Sequence, residues 1–500
     1  MTGREKGPAR SYGEGHREHG EGSVVVQTAV VRSLTAMPER DLSVGMTQNF
    51  VDAPAFARDL AFADLPRDVV LQAQRCLLDL IGVAAAGSRT RAAAIANTYA
   101  ATQLCGRDRD ARILFDGRRA GLAGAAFAGA TTIDALDAHD GHALTKGHAG
   151  AAIFPALLSV IDGAKAGEPN AAVDGREFLT CLVLGYEIAT RAGMALHATV
   201  PDYHCSGAWN ALGCAAVAAR LLAFDAARIR QALGVAEYFG PRGQILRACD
   251  SPTMVKDGSG WGAHVGVAAA LLARDGFTGA PALTVERDDA KAFWSDLGAR
   301  WRIREQYFKA YPVCRWAQPA IEAALELQRT HHFAADDIAL LAIESFREAI
   351  ALGSACAIVT TTEEAQYSLP FPVAAALVFG DIGAREVCVP ALADPRVVRL
   401  QRAMTLTEDV AFSQSFPAER WARVRVTLAD GRTFVSEPAR ARGDPENPLA
   451  DGEVRRKYFA YAEPVLGVAR AARIEQTVRG LSTARAALPA LLEDLLQPVA

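Results

Sequence analysis

From Asp64 to about residue 275 the chain reads as helix after helix, and no stretch alternates apolar and polar residues as a half-buried strand would. Ala-rich segments are separated by Gly and Asp breaks. Small side chains in such numbers let helices approach closely, which points to a large all-α core. Asp64-Leu65-Pro66 predicts a helix start, with Asp64 as cap and Pro66 in the first turn, where its missing N–H has no helical partner. The helix then buries Val69, Val70, Ala73, Leu77, Leu80 and Ile81 at helical spacing and stops near Gly87. Gly121–Thr132 and Ala149–Val160 read as further buried helices.

The pattern changes after Lys309-Ala310-Tyr311-Pro312. Ile338–Ile343 is a β-like apolar run, Arg423–Leu428 alternates strictly, Asp430-Gly431 is a hairpin turn signal, and Arg432–Ser436 returns as a strand. Glu364–Phe379 and Pro395–Met404 read as helices between them, and helical periodicity resumes after Pro448. The expected fold is therefore mainly α. A large helical domain is built from residues 49–309 and 441–500, with a smaller α+β lid domain, 310–440, inserted between them. Such a junction is a common place for a ligand cleft. Residues 1–48, rich in Gly, Arg, Glu and His, are expected to be a disordered extension, with Met37 and Met46 as alternative starts.

The net charge of −4 and the absence of a basic stripe give no sign of a nucleic-acid partner. The nine cysteines are scattered singly, with no Cys-x-x-Cys pair, which speaks for a reducing compartment and against zinc ribbons. The apolar runs read as too short for the roughly 20 apolar residues of a membrane span, and the N-terminal segment lacks the order of a secretory signal. The expected location is cytoplasmic, without membrane partners.

Against this apolar background, Asp134-Ala-Leu-Asp137-Ala-His139-Asp140-Gly-His142, with Lys146-Gly-His148 just after, is an anomaly. It places three histidines and three aspartates within fifteen residues, between two helices expected to be buried. Ionisable groups are costly to bury unless they are paired or used. A capped, salt-bridged loop is the plainer reading and a catalytic floor the sharper one. Ser206-Gly207 and Gly258-Ser259-Gly260 each precede an apolar helix, so two helix N-termini, with Lys256 beside one and His204 beside the other, would suit a dicarboxylate.

Six motifs in order over four hundred residues resemble the MmgE/PrpD family. They are Leu136-Asp137-Ala138-His139-Asp140 with His148 and Pro155, Tyr203-His204-Cys205-Ser206-Gly207, and Met254-Val255-Lys256 leading into Leu271–Gly279. Phe308-Lys309-Ala-Tyr-Pro-Val-Cys314, Tyr367-Ser-Leu-Pro-Phe371 and Gly443-Asp-Pro-Glu-Asn-Pro448 complete the set. The resemblance implies a helical domain with an α+β lid, a homodimer, no metal or organic cofactor, and chemistry at a carbon next to a carboxylate of a small di- or tricarboxylic acid. It implies Asp137, His148 and Lys256 as catalytic residues. His204 and Lys309 are implied as carboxylate anchors, and Ser259, Asp140 and His142 join them as expected substrate-binding residues. Removing a proton beside a carboxylate builds charge on the acid's own oxygens, so a metal-free site needs cations as well as a placed acid and base.

The chain departs from the family pattern at several points. His139-Asp140 stands for two aspartates, Gly141 for a threonine, and Ala149 and Cys205 for prolines. One residue is inserted before His148, the histidine often found just past the lysine is missing around Gly258-Ser259, and Phe371 lacks the lid tyrosine's hydroxyl. Lys146, Arg242 and Arg247 are additional cations. The expected function is a hydro-lyase of the 2-methylcitrate dehydratase type, with an iminodisuccinate-like epimerase or a cis-aconitate-type decarboxylase as alternative. A metal-dependent hydrolase using Asp137, His139, Asp140, His142 and His148, or a non-catalytic binding protein, are the readings from other classes.

Overall fold

The computed structural model describes residues 52–106, 109–354, 358–484 and 487–499. The expected extension, 1–48, lies outside the described residues. Those described form a mainly α protein with one four-stranded sheet and two two-stranded ladders.

Helix α1 (Arg67–Gly87) buries all six apolar residues named for it. Its start differs from the expectation. Pro66 is the extended N-cap residue, and Asp64 accepts a hydrogen bond from the Ala61 N–H at 2.9 Å in a preceding 3-10 turn. Proline disfavours helical backbone at the residue before it, so the 3-10 turn and the helix cannot fuse. There follow α2 (Leu122–Asp134), α3 (Gly150–Asp162), α4 (Gly175–Thr199), α5 (Gly207–Leu221), α6 (Ala226–Phe239) and α7 (Ser259–Arg274). Helix α7 packs on α2, α5 and α6, and α5 packs on α4. A Cβ at Gly266 of α7 would collide with the Cys214 Cβ and Ala211 carbonyl of α5, so this close crossing requires glycine.

Helices α1 and α4 overturn one expectation. By length and mean hydropathy (1.5 and 1.2) both are apolar enough to cross a membrane. Protein surrounds them instead, with 83% and 100% of their apolar windows buried. Helices that are apolar all round belong in the middle of a large core as readily as in lipid.

Two short ladders interrupt the helices, β1 (Asp110–Arg112) with β2 (Arg119–Gly121), and β3 (Gly141–His142) with β4 (Gln306–Tyr307). Two- and three-residue strands carry too few positions to show alternation, which is why the sequence pattern passes over them. The larger sheet has the order β6-β5-β7-β8, from β5 (Ile338–Ser345), β6 (Met404–Glu408), β7 (Ala422–Leu428) and β8 (Thr433–Val435). Strand β5 runs parallel to β6 and antiparallel to β7, and Gly431, at φ 89°, turns the β7–β8 hairpin. Helix α8 (Gln318–His331) packs on β7. The helix read through residue 379 is two pieces, α9 (Thr362–Gln366) and α10 (Pro370–Phe379), broken before Pro370. Helix α11 (Pro395–Arg402) ends two residues short of Met404, where the alternating Met-Thr-Leu-Thr-Glu forms edge strand β6.

Helices α12 (Asp451–Leu466), α13 (Val468–Gly480) and α14 (Ala487–Leu495) complete the chain, with α12 packed along α1. From α12, Lys457 donates to Asp79 Oδ1 of α1 and to the Ala138 carbonyl, both at 2.6 Å. The last helices thereby fix the backbone beside Asp137.

Candidate active site

The turn after α2 folds back on itself because it is pinned at several points. Asp137 sits in left-handed backbone at φ 50°, and Lys146 and Lys256 do the same at 49° and 47°. Non-glycine residues adopt that conformation at a cost, and only where the surroundings enforce it. Three of the six such residues among those described therefore fall in or beside one cluster.

At its centre is His148, 5% exposed, two residues ahead of α3. Its backbone N–H donates to Ser206 Oγ at 2.9 Å, and its Nδ1 lies 2.5 Å from the Asp140 carbonyl. A carbonyl only accepts, so Nδ1 carries the hydrogen and the lone pair of the neutral ring is on Nε2. Nε2 faces Asp257 Oδ2 at 3.2 Å and Asp137 Oδ1 at 3.9 Å. Burial brings the imidazole down to about 4, with Lys309 adding to the effect. Burial also holds Asp257 well above the usual carboxylate range, helped by Asp134 and Asp137. Both shifts favour neutral forms, so the pair is an imidazole accepting from a protonated carboxyl.

Asp137 is held from the other side by Lys309, whose Nζ donates to its Oδ1 at 2.6 Å and to its carbonyl at 2.8 Å. Lys309 is 1% exposed, two residues past the end of β4, whose short ladder with β3 joins the turn to the segment entering the sheet region. That segment is itself anchored in α4, where buried Arg191 donates to the carbonyls of Phe293 and Arg300, and Glu187 accepts from the Ile303 N–H. Lys256, 4% exposed, donates to Gln366 Oε1 and lies 5.1 Å over the Tyr367 ring. Gln366 of α9 in turn donates to the Ala135 carbonyl at 3.1 Å. Burial lowers the Lys256 ammonium from its ordinary value.

Asp134 closes the cluster. Its Oδ2 accepts from the Ser259 N–H at 3.2 Å, and burial, with Asp137 nearby, raises it to about 7. Asp134 and Lys256 line a cavity of about 1050 Å³ that also takes in Cys205, Arg247, Gly258 and Trp261. A volume of this size accommodates a small polycarboxylic acid.

Asp137, His148, Lys256 and Lys309 are therefore brought together as expected, while four other residues are placed differently. Ser259 offers its N–H to the protein's own Asp134, so that helix N-terminus is already occupied by a carboxylate. The Asp140 side chain points away, accepting from Tyr186 Oη at 2.6 Å, and only its carbonyl serves His148. His142 alternates to the other side of β3 and pairs with Glu305 at 3.1 Å. His204 receives no carboxylate-facing position; its N–H donates to His197 Nε2 at 3.2 Å, and its backbone bridges Gln244. Among the described residues no three His, Cys, Asp or Glu side chains are arranged to hold a metal ion.

Asp257 and Tyr307 were missed from sequence. Each is adjacent to a recognised motif, Asp257 directly after Lys256 and Tyr307 directly before Phe308-Lys309, and that adjacency was the signal present. The Tyr307 ring meets His148 edge-on at 6.3 Å. A Cβ on Gly141 would lie 2.5 Å from Tyr307 Oη and 2.7 Å from His148 Nδ1, so the threonine expected at this position has no room here. Gly141→Ala is expected to lower kcat and to cost about 1–3 kcal/mol by overpacking, read from steady-state rates and thermal melting; unchanged values of both would contradict this packing.

The chain matches the MmgE/PrpD N-terminal domain over residues 53–296 and the MmgE/PrpD C-terminal domain over 311–483, and it belongs to this family. It is 25% identical over 458 residues to the cis-aconitate decarboxylase-like protein oryM of Aspergillus oryzae, covering 85% of this chain and 92% of that one. It is 24% identical over 486 residues to cis-aconitate decarboxylase of Aspergillus terreus, covering 89% and 95%. A shorter match, 28% identical over 184 residues, joins it to 2-methylcitrate dehydratase of Cupriavidus necator, 33% of this chain and 38% of that protein.

Proposed function

We propose that this protein is a lyase acting at a carbon next to a carboxylate of a small di- or tricarboxylic acid, with its own side chains supplying acid, base and cations. The observation that carries this reading is the His148–Asp257 pair, a neutral base 3.2 Å from a carboxyl kept protonated, beside Lys256 and the Lys309–Asp137 ion pair. Groups whose environments push their proton affinities apart are those suited to divide acid and base roles.

Decarboxylation of a cis-aconitate-like acid is the favoured reaction. In it the bond from carbon to one carboxylate breaks and carbon dioxide leaves. The electron pair shifts through the double bond to a carbon beside another carboxylate, and that carbon takes a proton from the His148–Asp257 pair. Lysine ammonium groups stabilise the charge in transit. The two relatives matched over more than nine-tenths of their length, both carrying the cis-aconitate decarboxylase name, support this choice. Dehydration of a 2-methylcitrate-like acid is the second reading. There His148 Nε2 takes the proton beside the carboxylate, the pair forms the double bond, and hydroxide leaves with a proton from Asp134 or Asp257. The shorter match favours it.

Proton NMR in deuterium oxide separates the two readings. Incubation with cis-aconitate is expected to give a five-carbon product deuterated beside a carboxylate. Loss of water from 2-methylcitrate would select the second reading, and no turnover or exchange with either would overturn both. The activity should also be bell-shaped in pH. His148, lowered to about 4, is neutral above that value, and Asp257, held well above the usual carboxylate range, keeps the proton that the reaction uses. Activity is therefore expected to rise through about pH 4 and to fall once Asp257 ionises. A rate still climbing at pH 9 would exclude an essential protonated carboxyl.

A further inference from the structure

The turn that carries Asp137 is gripped through its backbone. The carbonyls of Ala135, Asp137, Ala138 and Asp140 each accept a hydrogen bond from a side chain elsewhere in the chain. The donors are Gln366 at 3.1 Å, Lys309 at 2.8 Å, Lys457 at 2.6 Å and His148 at 2.5 Å, in that order. Gln366, Lys309 and His148 belong to the acid–base cluster or hold one of its members. Lys457 does neither. It comes from α12, 319 residues beyond Ala138, and its ammonium reaches two acceptors, the Ala138 carbonyl and Asp79 Oδ1 of α1.

Joining α12 to α1 does not require this ion pair. The two helices already cross closely, since a Cβ on Gly82 of α1 would lie 3.2 Å from Tyr458 of α12. The Lys457 and Asp79 side chains are 8% and 0% exposed, and a buried pair loses about as much in desolvation as it gains in attraction, so an apolar pair would hold the helices as well. Asp79 Oδ2 is moreover left without a hydrogen-bond partner. What an apolar residue cannot do is donate to the Ala138 carbonyl. Lys309 and Lys457 thus hold two consecutive peptide groups, directly after a residue in left-handed backbone at φ 50°. Such backbone persists only where its surroundings enforce it. The same turn sets both groups that face the His148 ring, the Asp137 carboxylate 3.9 Å from Nε2 and the Asp140 carbonyl at Nδ1.

We propose that Lys457 is a positioning residue for the His148 centre: bound to Asp79, its ammonium holds the Ala138 carbonyl and so keeps the Asp137 carboxylate and the Asp140 carbonyl in place against the imidazole. It acts through the backbone and not on the substrate. The proposal rests on the lyase reading only for the reaction that this geometry serves.

Lys457→Met alone strands the Asp79 charge and may not fold, so the deciding form is the full-length double variant Asp79→Asn, Lys457→Met. There both charges are gone and the donor to the Ala138 carbonyl is missing. Rates with cis-aconitate are read well below the melting temperature of each form. The double variant is expected to lose about 10- to 100-fold in kcat with KM within about threefold of the wild type, the loss that a small misplacement of reacting groups produces. Nitrogen-15 NMR of histidine-labelled, ligand-free protein at neutral pH gives a second readout, with the His148 signals assigned from His148→Gln. The wild type is expected to show His148 as a single tautomer with the hydrogen on Nδ1, and the double variant a mixture of both tautomers. Wild-type kcat together with an unchanged His148 signal in the double variant overturns the proposal and leaves Lys457 as an ion pair that only joins helices. A fall confined to kcat/KM through KM, with His148 unchanged, overturns it as well. If the wild type turns over no acid, the lyase reading falls, and the His148 tautomer alone decides on Lys457.

Discussion

His148→Gln is expected to remove about 100- to 10,000-fold of kcat while leaving the protein folded, the range that a placed general acid or base contributes. Glutamine keeps a side chain of similar reach that can still hydrogen-bond, so packing against His139, whose ring centroid is 4.1 Å away, is largely preserved. What is lost is the lone pair on Nε2 facing Asp257 and the ability to hold a proton there. The measurement is single-turnover rate with cis-aconitate beside a circular dichroism melt. The same experiment on Asp257→Asn separates the partners. If Asp257 is the acid, the alkaline limb of the pH profile should move or vanish, whereas His148→Gln should abolish the acidic limb. Retention of near-normal kcat by His148→Gln would mean that the cluster is scaffolding.

The second large effect concerns stability. Lys309 and Asp137 are both buried, with side chains 2% and 5% exposed at a separation of 2.6 Å. Lys309→Met leaves the Asp137 carboxylate in the interior without its cation, and removing one partner of a buried pair typically costs about 3–5 kcal/mol. The double variant Lys309→Met, Asp137→Asn removes both charges and should recover much of that loss, while activity stays absent. Urea unfolding midpoints of the two forms make the comparison. If the double variant is no more stable than Lys309→Met, the loss comes from packing or the Asp137 carbonyl contact and not from the stranded charge.

The helical frame was legible because it repeats: each core helix supplies many positions with the same period, and α1, α2 and α3 fall within a few residues of their expected limits. The edge strand β6 was hidden by an amphipathic helix immediately before it. Within the site, Asp137, His148, Lys256 and Lys309 were readable through motif order. The side chains of Asp140 and His142 turn away from His148 because a tight turn sends neighbouring side chains in different directions. Sequence proximity says that these groups are close, and only the fold says which of them face one another. Ser259 illustrates a related failure: a helix N-terminus was correctly located, but its customer was Asp134 of the same chain. Tyr307 depends on a pairing between distant segments, for which a single sequence carries no local signal.

The left-handed backbone at Asp137, Lys146 and Lys256 has a bearing on how this protein responds to selection in the laboratory. A screen for heat tolerance alone should accept glycine or asparagine at Lys146 and Lys256, since these residues tolerate that geometry more readily, whereas at Asp137 the stranded Lys309 ammonium outweighs the backbone gain. Each such replacement would remove a charge from the centre of the molecule. Thermostability and turnover should therefore trade against each other at these sites more sharply than elsewhere in the helical core. A library sorted on both properties at once would leave the three residues untouched and find its gains on the outer helices.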